Sequence, residues 1–180
     1  MFIVASEIRK EKKQMSVFNT ISKPEDRAPL VTVLGDAGLG KSSLAATFPT
    51  PIFIRAEDGL QAIPLETRPD AFPVLGKADD LWEQLTSLIK EDHHYKTLVI
   101  DSVTALERMF IDHIVSSDPK KPKSINQALG GYGAGLVAVA ALHGRVRKAC
   151  GILNNKGMSI VFIAHADTET IDLPDQDPYT

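Results

Sequence analysis

The residues with the clearest chemical meaning lie in the segment VTVLGDAGLGKSSLAATF, residues 31 to 48. Gly35, Gly40, Lys41 and Ser42 in this segment fit the pattern G-x-x-x-x-G-K-[ST]. Glycines allow a chain to turn tightly and to point several backbone N–H groups at phosphate oxygens. A lysine at this position reaches the β- and γ-phosphates, and the hydroxyl after it binds Mg²⁺. The segment therefore predicts a site for a nucleoside triphosphate.

The predicted phosphate-binding residues form one stretch between a strand and a helix. The apolar run at residues 29–34 predicts a buried strand that enters the loop, and residues 42–48 predict the helix that leaves it. The positive end of this helix would face the phosphates. The alternative is a glycine-rich turn before a surface helix. The predicted nucleotide-binding residues are Gly35, Asp36, Ala37, Gly38, Leu39, Gly40, Lys41, Ser42 and Ser43.

Polar residues that suit metal binding and hydrolysis follow three later apolar runs. Asp101 follows TLVI, where it either holds Mg²⁺ together with Ser42 or caps the next helix. Glu57 and Asp58 come soon after IFI; we expect Glu57 to be the base that orients water, the alternative being a solvated loop acid. His165 follows SIVFIA and is either a sensor of the γ-phosphate or a structural histidine. The predicted catalytic residues are Lys41, Glu57 and His165.

Apolar runs and helical patterns alternate along the chain. Further strands are predicted at residues 52–54, 97–100 and 158–166, with a short strand among the prolines of 61–77. Helices are predicted at residues 77–92, between 101 and 115, and at about 136–153. This order is typical of an α/β domain with a mostly parallel central sheet flanked by helices.

Composition limits the classes of protein to which the chain can belong. A chain of 180 residues that is 43% hydrophobic is long enough for one α/β domain. The net charge of −3 means that any nucleic-acid contact must come from a local patch. A lone cysteine and the absence of a long apolar stretch predict a soluble protein of a reducing cytoplasm, away from membranes. The other histidines, at 93, 94, 113 and 143, lack metal-ligand spacing, so we do not expect zinc.

A long loop at residues 116–134 carries the candidate local patch. Lysines can neutralise phosphates and an aromatic ring can stack on a base, so this loop suits single-stranded DNA. The alternative is a solvated lysine loop without a binding role. The predicted DNA-binding residues are Lys120, Lys121, Lys123 and Tyr132. The basic residues of the next helix that either extend this patch or lie on an exposed face are Arg145, Arg147 and Lys148.

With these sites in this order, the chain resembles the RecA-like recombinase core, and specifically the small phage-type ATP-binding proteins of recombination and single-strand annealing. The matching segments are GDAGLGKS, IFIRAEDGL, TLVIDSVTALE and SIVFIAHA, within residues 29–167. The resemblance implies ATP and Mg²⁺ as cofactors, Glu57 as the residue that activates water and Asp101 as the residue that holds Mg²⁺. The small phage group is similar to this chain in having histidine at the end of the last matched strand. The resemblance therefore implies that His165 couples the γ-phosphate to DNA binding.

The resemblance also implies partners and a domain organisation. Single-stranded DNA is the implied partner, with a homo-oligomer, a single-strand-binding protein and the bacterial host cytoplasm as further expectations. Because such proteins continue past the last matched strand, we expect residues 29–180 to be a core that is incomplete at its C-terminus, preceded by an arm of residues 1–28. We also expect Met15 to be the natural start and residues 1–14 to be poorly ordered.

Three other functions share parts of this pattern. A small-molecule kinase would need a lid with several arginines, whereas the long loop is rich in lysine and glycine. A nucleotide switch that loads a partner and a helicase-type motor core are the alternatives to a recombination ATPase, because the same sheet serves all three. The chain has no Asn-Lys-x-Asp guanine signature, which favours adenine.

Overall fold

Strands and helices alternate in the computed structural model, which describes residues 17–23 and 26–166. The strands are β1 (Leu30–Gly35), β2 (Pro51–Arg55), β3 (Asp70–Ala71), β4 (Thr97–Asp101) and β5 (Ser159–His165). The helices are α1 (Lys41–Ala46), α2 (Ala78–Lys90), α3 (Val103–Ser117) and α4 (Ala134–Asn155). Short 3₁₀ helices cover Val17–Thr20, Leu60–Ala62, Leu65–Thr67 and Ala128–Gly130.

The five strands form one sheet in the order β1-β5-β4-β2-β3, and every pairing is parallel. The predicted α/β class is confirmed, and the described sheet is wholly rather than mostly parallel. Because parallel strands end at the same edge, residues that follow them meet there. The register places His165 opposite Gly35 and Asp101 opposite Arg55. This edge therefore collects the predicted site residues.

Strand β4 lies at the centre of the core and is buried along its whole length. Leu98 and Ile100 pack on one face of the sheet against α2, α3 and α4. Val99 points to the other face, where it joins Phe53 and Ala45 of α1. Side chains of a strand alternate between faces, so a strand covered on both faces is apolar throughout. This double coverage holds Asp101, the last residue of β4, in a defined position.

The expected burial of β1 is wrong. Within residues 17–23 and 26–166, β1 pairs with β5 alone, and Leu30 and Leu34 are 55% and 67% exposed. An apolar run identifies a strand, but the position of that strand in a sheet depends on pairings with distant segments. The strand was therefore predicted correctly, and its environment was not.

The remaining element boundaries differ from the predictions by a few residues. Helix α1 ends at Ala46 rather than at residue 48, and α4 extends two residues beyond each end of the predicted range 136–153. The expectations about residues 1–14 and about the end of the core lie outside the described residues. Among the described helices, none combines the length and the apolar character that crossing a membrane would require.

Candidate nucleotide-binding site

The phosphate loop between β1 and α1 has two backbone positions that favour glycine. Gly38 and Gly40 have φ angles of 81° and 77°, in the left-handed region that other residues rarely adopt. Gly35 has no positive φ angle, and a Cβ there would lie 3.2 Å from Cδ1 of the exposed Leu39 side chain. The loop borders a cavity of about 400 Å³ that also touches the ends of β2, β4 and β5.

Lys41 is held at the floor of this cavity with only 7% of its surface exposed. Its ammonium group donates hydrogen bonds to the carbonyl oxygens of Gly35 and Asp36, each at 2.7 Å. Nζ also lies 3.3 Å from Nδ1 of His165. All three N–H donors of the ammonium group thus have acceptors, as a buried cation requires. Phosphate oxygens can take the place of these neutral acceptors.

Ser42 and Asp101, the two predicted metal-binding residues, lie within hydrogen-bond distance of each other. The Ser42 hydroxyl donates to Oδ2 of Asp101 at 2.6 Å. Asp101 is 2% exposed, and this burial together with the charge of Glu57 raises the pKa of its carboxyl group, against the opposing effects of Ser42, His165 and Lys41. A bound divalent cation would favour the ionised carboxylate. The pair therefore suits Mg²⁺, which prefers oxygen ligands.

Gly59, between Asp58 and the 3₁₀ helix Leu60–Ala62, keeps space open beside this pair. A Cβ at Gly59 would lie 3.2 Å from Asp101 Oδ2 and 3.4 Å from Ser42 Oγ. Mg²⁺ usually retains several water ligands and so needs room around the protein oxygens. No group of three or more His, Cys, Asp or Glu side chains within the described ranges could hold a metal ion. Mg²⁺ would therefore depend on Ser42, Asp101, phosphate oxygens and water.

The two neighbouring acids after β2 have different surroundings. Asp58 accepts hydrogen bonds from Arg55 at 2.9 Å and from Gln61 at 2.5 Å. Glu57 instead accepts a hydrogen bond from Nε2 of His165 at 2.6 Å. Its backbone N–H donates to the carbonyl oxygen of Asp101. Glu57 is therefore the acid that joins the phosphate-loop cluster.

Glu57 is held in its ionised form. Partial burial raises the pKa of its carboxyl group, but hydrogen bonds from Ser102 and His165 and the positive charge of Arg108 outweigh that effect. The pKa consequently lies below its usual value. An ionised carboxylate is the form that can accept a proton from water.

His165 connects Lys41 to Glu57. Because Lys41 is a donor, Nδ1 of His165 accepts, and Nε2 carries the proton that is donated to Glu57. The backbone N–H of His165 donates to the Thr104 hydroxyl of α3 at 3.0 Å. A neutral imidazole thus bridges the lysine of the phosphate loop and the candidate base. The structure brings all five of the predicted side chains together, while their chemical roles stay predictions.

The structure adds three residues that the sequence analysis missed, namely Gly59, Ser102 and Thr104. Ser102 is fully buried; its hydroxyl accepts a hydrogen bond from the Ala105 N–H at the start of α3 and donates one to Glu57. Serine directly before a helix is a typical capping signal. Ser102, not Asp101, is therefore the cap of α3, which removes the capping alternative for Asp101.

The predicted DNA-binding residues lie outside this cluster. Their loop begins after α3, a 15-residue helix, which at 1.5 Å per residue is about 22 Å long and starts next to Asp101. Arg145 packs over the ring of Trp82 in α2, with its Cζ atom 4.1 Å from the ring centroid. Arg147 and Lys148 are exposed. The lysines and the tyrosine of the loop are exposed as well: Lys120, Lys121, Lys123 and Tyr132.

Fold and site together define a P-loop nucleotide-binding domain. The first strand of its parallel sheet leads into a phosphate loop, and the two strands that follow β1 in the sheet, β5 and β4, end in His165 and Asp101. A family model described as an AAA domain matches residues 27–180. The chain belongs to this AAA domain family. No curated protein matches the chain.

Proposed function

We propose that this AAA domain is a Mg²⁺-dependent ATPase whose hydrolysis is coupled to single-stranded DNA during phage recombination or annealing. The observation that carries the proposal is the hydrogen-bonded connection from Lys41 through His165 to Glu57. It links the residue expected to hold the γ-phosphate to the residue expected to activate water. The resemblance to small phage recombination proteins supports the DNA partner.

The proposed reaction is attack of water on the γ-phosphorus of ATP. Glu57 accepts the proton of the water, the bond from the γ-phosphorus to the bridging oxygen breaks, and ADP and phosphate are released. Lys41 neutralises charge that develops on the phosphate oxygens. Ser42 and Asp101 would hold Mg²⁺, which supplies further charge neutralisation when bound. His165 would sense the γ-phosphate, because a Lys41 drawn to phosphate no longer donates to Nδ1.

A direct test measures ATP turnover with and without single-stranded DNA for the wild type, Lys41→Ala and the control Lys90→Ala. Lys90 is an exposed lysine at the end of α2, away from the cavity. We expect DNA to stimulate the wild type and the control, and Lys41→Ala to lose nearly all turnover because the cavity loses its buried cation. Wild-type protein that neither binds nor hydrolyses ATP would overturn the proposal.

The second candidate is a nucleotide switch that loads a partner. The observation in its favour is that Glu57 is already engaged by His165 and Ser102, which reduces its access to water. A switch would bind ATP tightly, hydrolyse it slowly and ignore DNA. Turnover that is indifferent to single-stranded DNA, with intact ATP binding, would favour this function. The recombination proposal, in contrast, also includes a homo-oligomer, contact with a single-strand-binding protein and a location in the bacterial cytoplasm.

A further inference from the structure

Strand β5 extends past the end of its neighbour β4. Its pairing with β4 stops at Ile163. On the other side, its pairing with β1 continues to His165, opposite Gly35. The Ala166 N–H donates to the Gly35 carbonyl oxygen of β1, so the N–H of His165 points to the side on which β4 has already ended. Because a partly buried backbone N–H without a partner is costly, His165 needs an acceptor that β4 does not supply.

The hydroxyl of Thr104 supplies this acceptor from the first turn of α3. Its Oγ1 accepts a hydrogen bond from the His165 N–H at 3.0 Å, across 61 residues of sequence. A hydroxyl oxygen has two acceptor lone pairs and can take the place of a strand carbonyl. The last residue of β5 is thus attached to α3 at the point where β4 no longer pairs with it.

The position of His165 matters because both nitrogens of its ring are engaged. Nδ1 lies 3.3 Å from Nζ of Lys41, and Nε2 lies 2.6 Å from Oε1 of Glu57. The side chain is 29% exposed, so the surrounding packing does not enclose the ring completely. Hydrogen bonds weaken steeply as their distance and angle depart from the optimum. Both ring contacts therefore depend on a fixed backbone position for His165.

The same turn of α3 also holds Glu57. The hydroxyl of Ser102, which is fully buried, donates a hydrogen bond to the Glu57 carboxylate. Ser102 precedes α3 directly, and Thr104 is the second residue of the helix. The donor and the acceptor of the hydrogen bond between His165 and Glu57 are thus each attached to one segment of three residues.

We infer that Thr104 is a positioning residue that sets the imidazole of His165 between Lys41 and Glu57. It acts through the histidine, since Thr104 lies outside the set of residues that line the nucleotide cavity. A misplacement of about 1 Å can lower a rate by roughly a hundredfold, so a hydroxyl behind the cavity wall can govern turnover. This inference rests on the proposed ATPase and names the residue that regulates the placement of its γ-phosphate sensor.

The kinetic test compares Thr104→Val, Thr104→Ala and Thr104→Ser with the control Thr86→Val in the full chain. Valine and alanine remove the hydroxyl, whereas serine keeps it. Thr86 is an exposed threonine in α2. We expect kcat for ATP to fall roughly tenfold in the valine and alanine variants with KM within about twofold, because the phosphate loop is unchanged. Serine should restore most of the turnover, and the control should match the wild type.

A spectroscopic measurement reports the ring of His165 without nucleotide or turnover. The ¹⁵N chemical shifts of a histidine ring show which nitrogen carries the proton, and the signals of His165 are identified by their loss in His165→Gln. The wild type and Thr86→Val should show the proton on Nε2. The valine and alanine variants of Thr104 should shift towards a mixture of both tautomers, because the ring is no longer held between its two partners.

A merely structural role of Thr104 predicts a different set of results. Thermal unfolding is measured in parallel, and a structural role would lower the unfolding temperature while the folded protein keeps its ring signals. Unchanged ring signals in both the valine and alanine variants would overturn the inference. A serine variant as impaired as the valine variant would also overturn it, since serine keeps the acceptor.

The outcome is separable from that of the proposed ATPase. A wild type that hydrolyses ATP, with Thr104 variants that keep its kcat, would overturn this inference and leave the ATPase intact. A wild type that hydrolyses no ATP would overturn the ATPase, while altered ring signals in the valine and alanine variants would still support the positioning role of Thr104.

Discussion

Residues 129–133 all have positive φ angles and are here called the left-handed turn. The cluster around Lys41 and the left-handed turn organise polar and apolar groups in opposite ways. In the cluster, side chains from α1, β4, β5 and the segment after β2 bond to one another, and their backbones are tied to the sheet. In the turn, the exposed side chains gain little from the protein, and one buried carboxylate holds the backbone. The first arrangement suits a small ligand that replaces existing partners. The second suits a large partner that covers unpaired surface.

The largest effect that would sharpen this comparison concerns the two adjacent acids after β2. Glu57→Gln should lower ATP turnover by about a hundredfold or more with little change in ATP binding, because a general base contributes roughly 10²–10⁴ in rate. The matched variant Asp58→Asn should stay within about twofold of the wild type, since Asp58 bonds to Arg55 and Gln61 instead. Steady-state turnover and binding of a fluorescent ATP analogue measure the two quantities.

The pH profile of turnover gives an independent check on Glu57. Its lowered pKa keeps the carboxylate ionised above the usual glutamate range, so the wild type should show no acidic limb from this group between about pH 5.5 and 8. Equal losses in Glu57→Gln and Asp58→Asn would contradict the assignment of the base, and so would an acidic limb near pH 6.5 that is present in the wild type and absent from Glu57→Gln.

A smaller effect is expected at the glycine beside the metal-binding pair. Gly59→Ala should raise the Mg²⁺ concentration needed for tight nucleotide binding by roughly tenfold, because overpacking costs about 1–3 kcal/mol and here it narrows the space beside Ser42 and Asp101. Nucleotide binding without Mg²⁺ should change little. Titration of a fluorescent ATP analogue at several Mg²⁺ concentrations measures both.

Gly144→Ala is the matched control for Gly59→Ala. Gly144 lies within α4, and a Cβ there would meet no atom within 4 Å, so alanine should fit without effect on Mg²⁺. If both variants shifted the Mg²⁺ dependence equally, or neither did, the space beside the pair would not be what Gly59 provides.

The smallest effect is expected at the anchor of the left-handed turn. Hydrogen bonds from the Leu129 and Lys120 N–H groups lower the pKa of Asp118 below its unfolded value. The carboxylate therefore stabilises the folded state above the usual aspartate pKa of about 4, and this contribution is lost as the pH falls through the lower folded value. The urea midpoint of the wild type should exceed that of Asp118→Asn at pH 7, and the difference should shrink towards pH 3.

Nucleotide binding should be the same in Asp118→Asn and the wild type, because Asp118 lies a helix length from Asp101. A midpoint difference that does not change with pH would show that the charge of Asp118 is not what holds the turn. Weaker nucleotide binding in this variant would break the comparison, since the two regions would then share one stabilising network.

Local patterns allowed much of the fold and site to be predicted. The phosphate loop was found because its requirements, glycines followed by Lys41 and Ser42, lie within eight consecutive residues. Asp101 and His165 were found because each ends an apolar run, and the ends of parallel strands meet at one edge. The structure places Glu57, and not Asp58, against His165, and no local pattern separates two adjacent acids in a loop.

The sequence by itself determined the alternation of strands and helices, the phosphate loop and the residues that end each strand, because these depend on side-chain type and spacing along the chain. Only the tertiary structure decided the partial exposure of β1, the hydrogen bonds from Lys41 through His165 to Glu57, and the open space at Gly59. It also decided that Asp118 holds Leu129 from 11 residues away. Each of these depends on atoms that are distant in sequence, and their distances are set by packing and strand order.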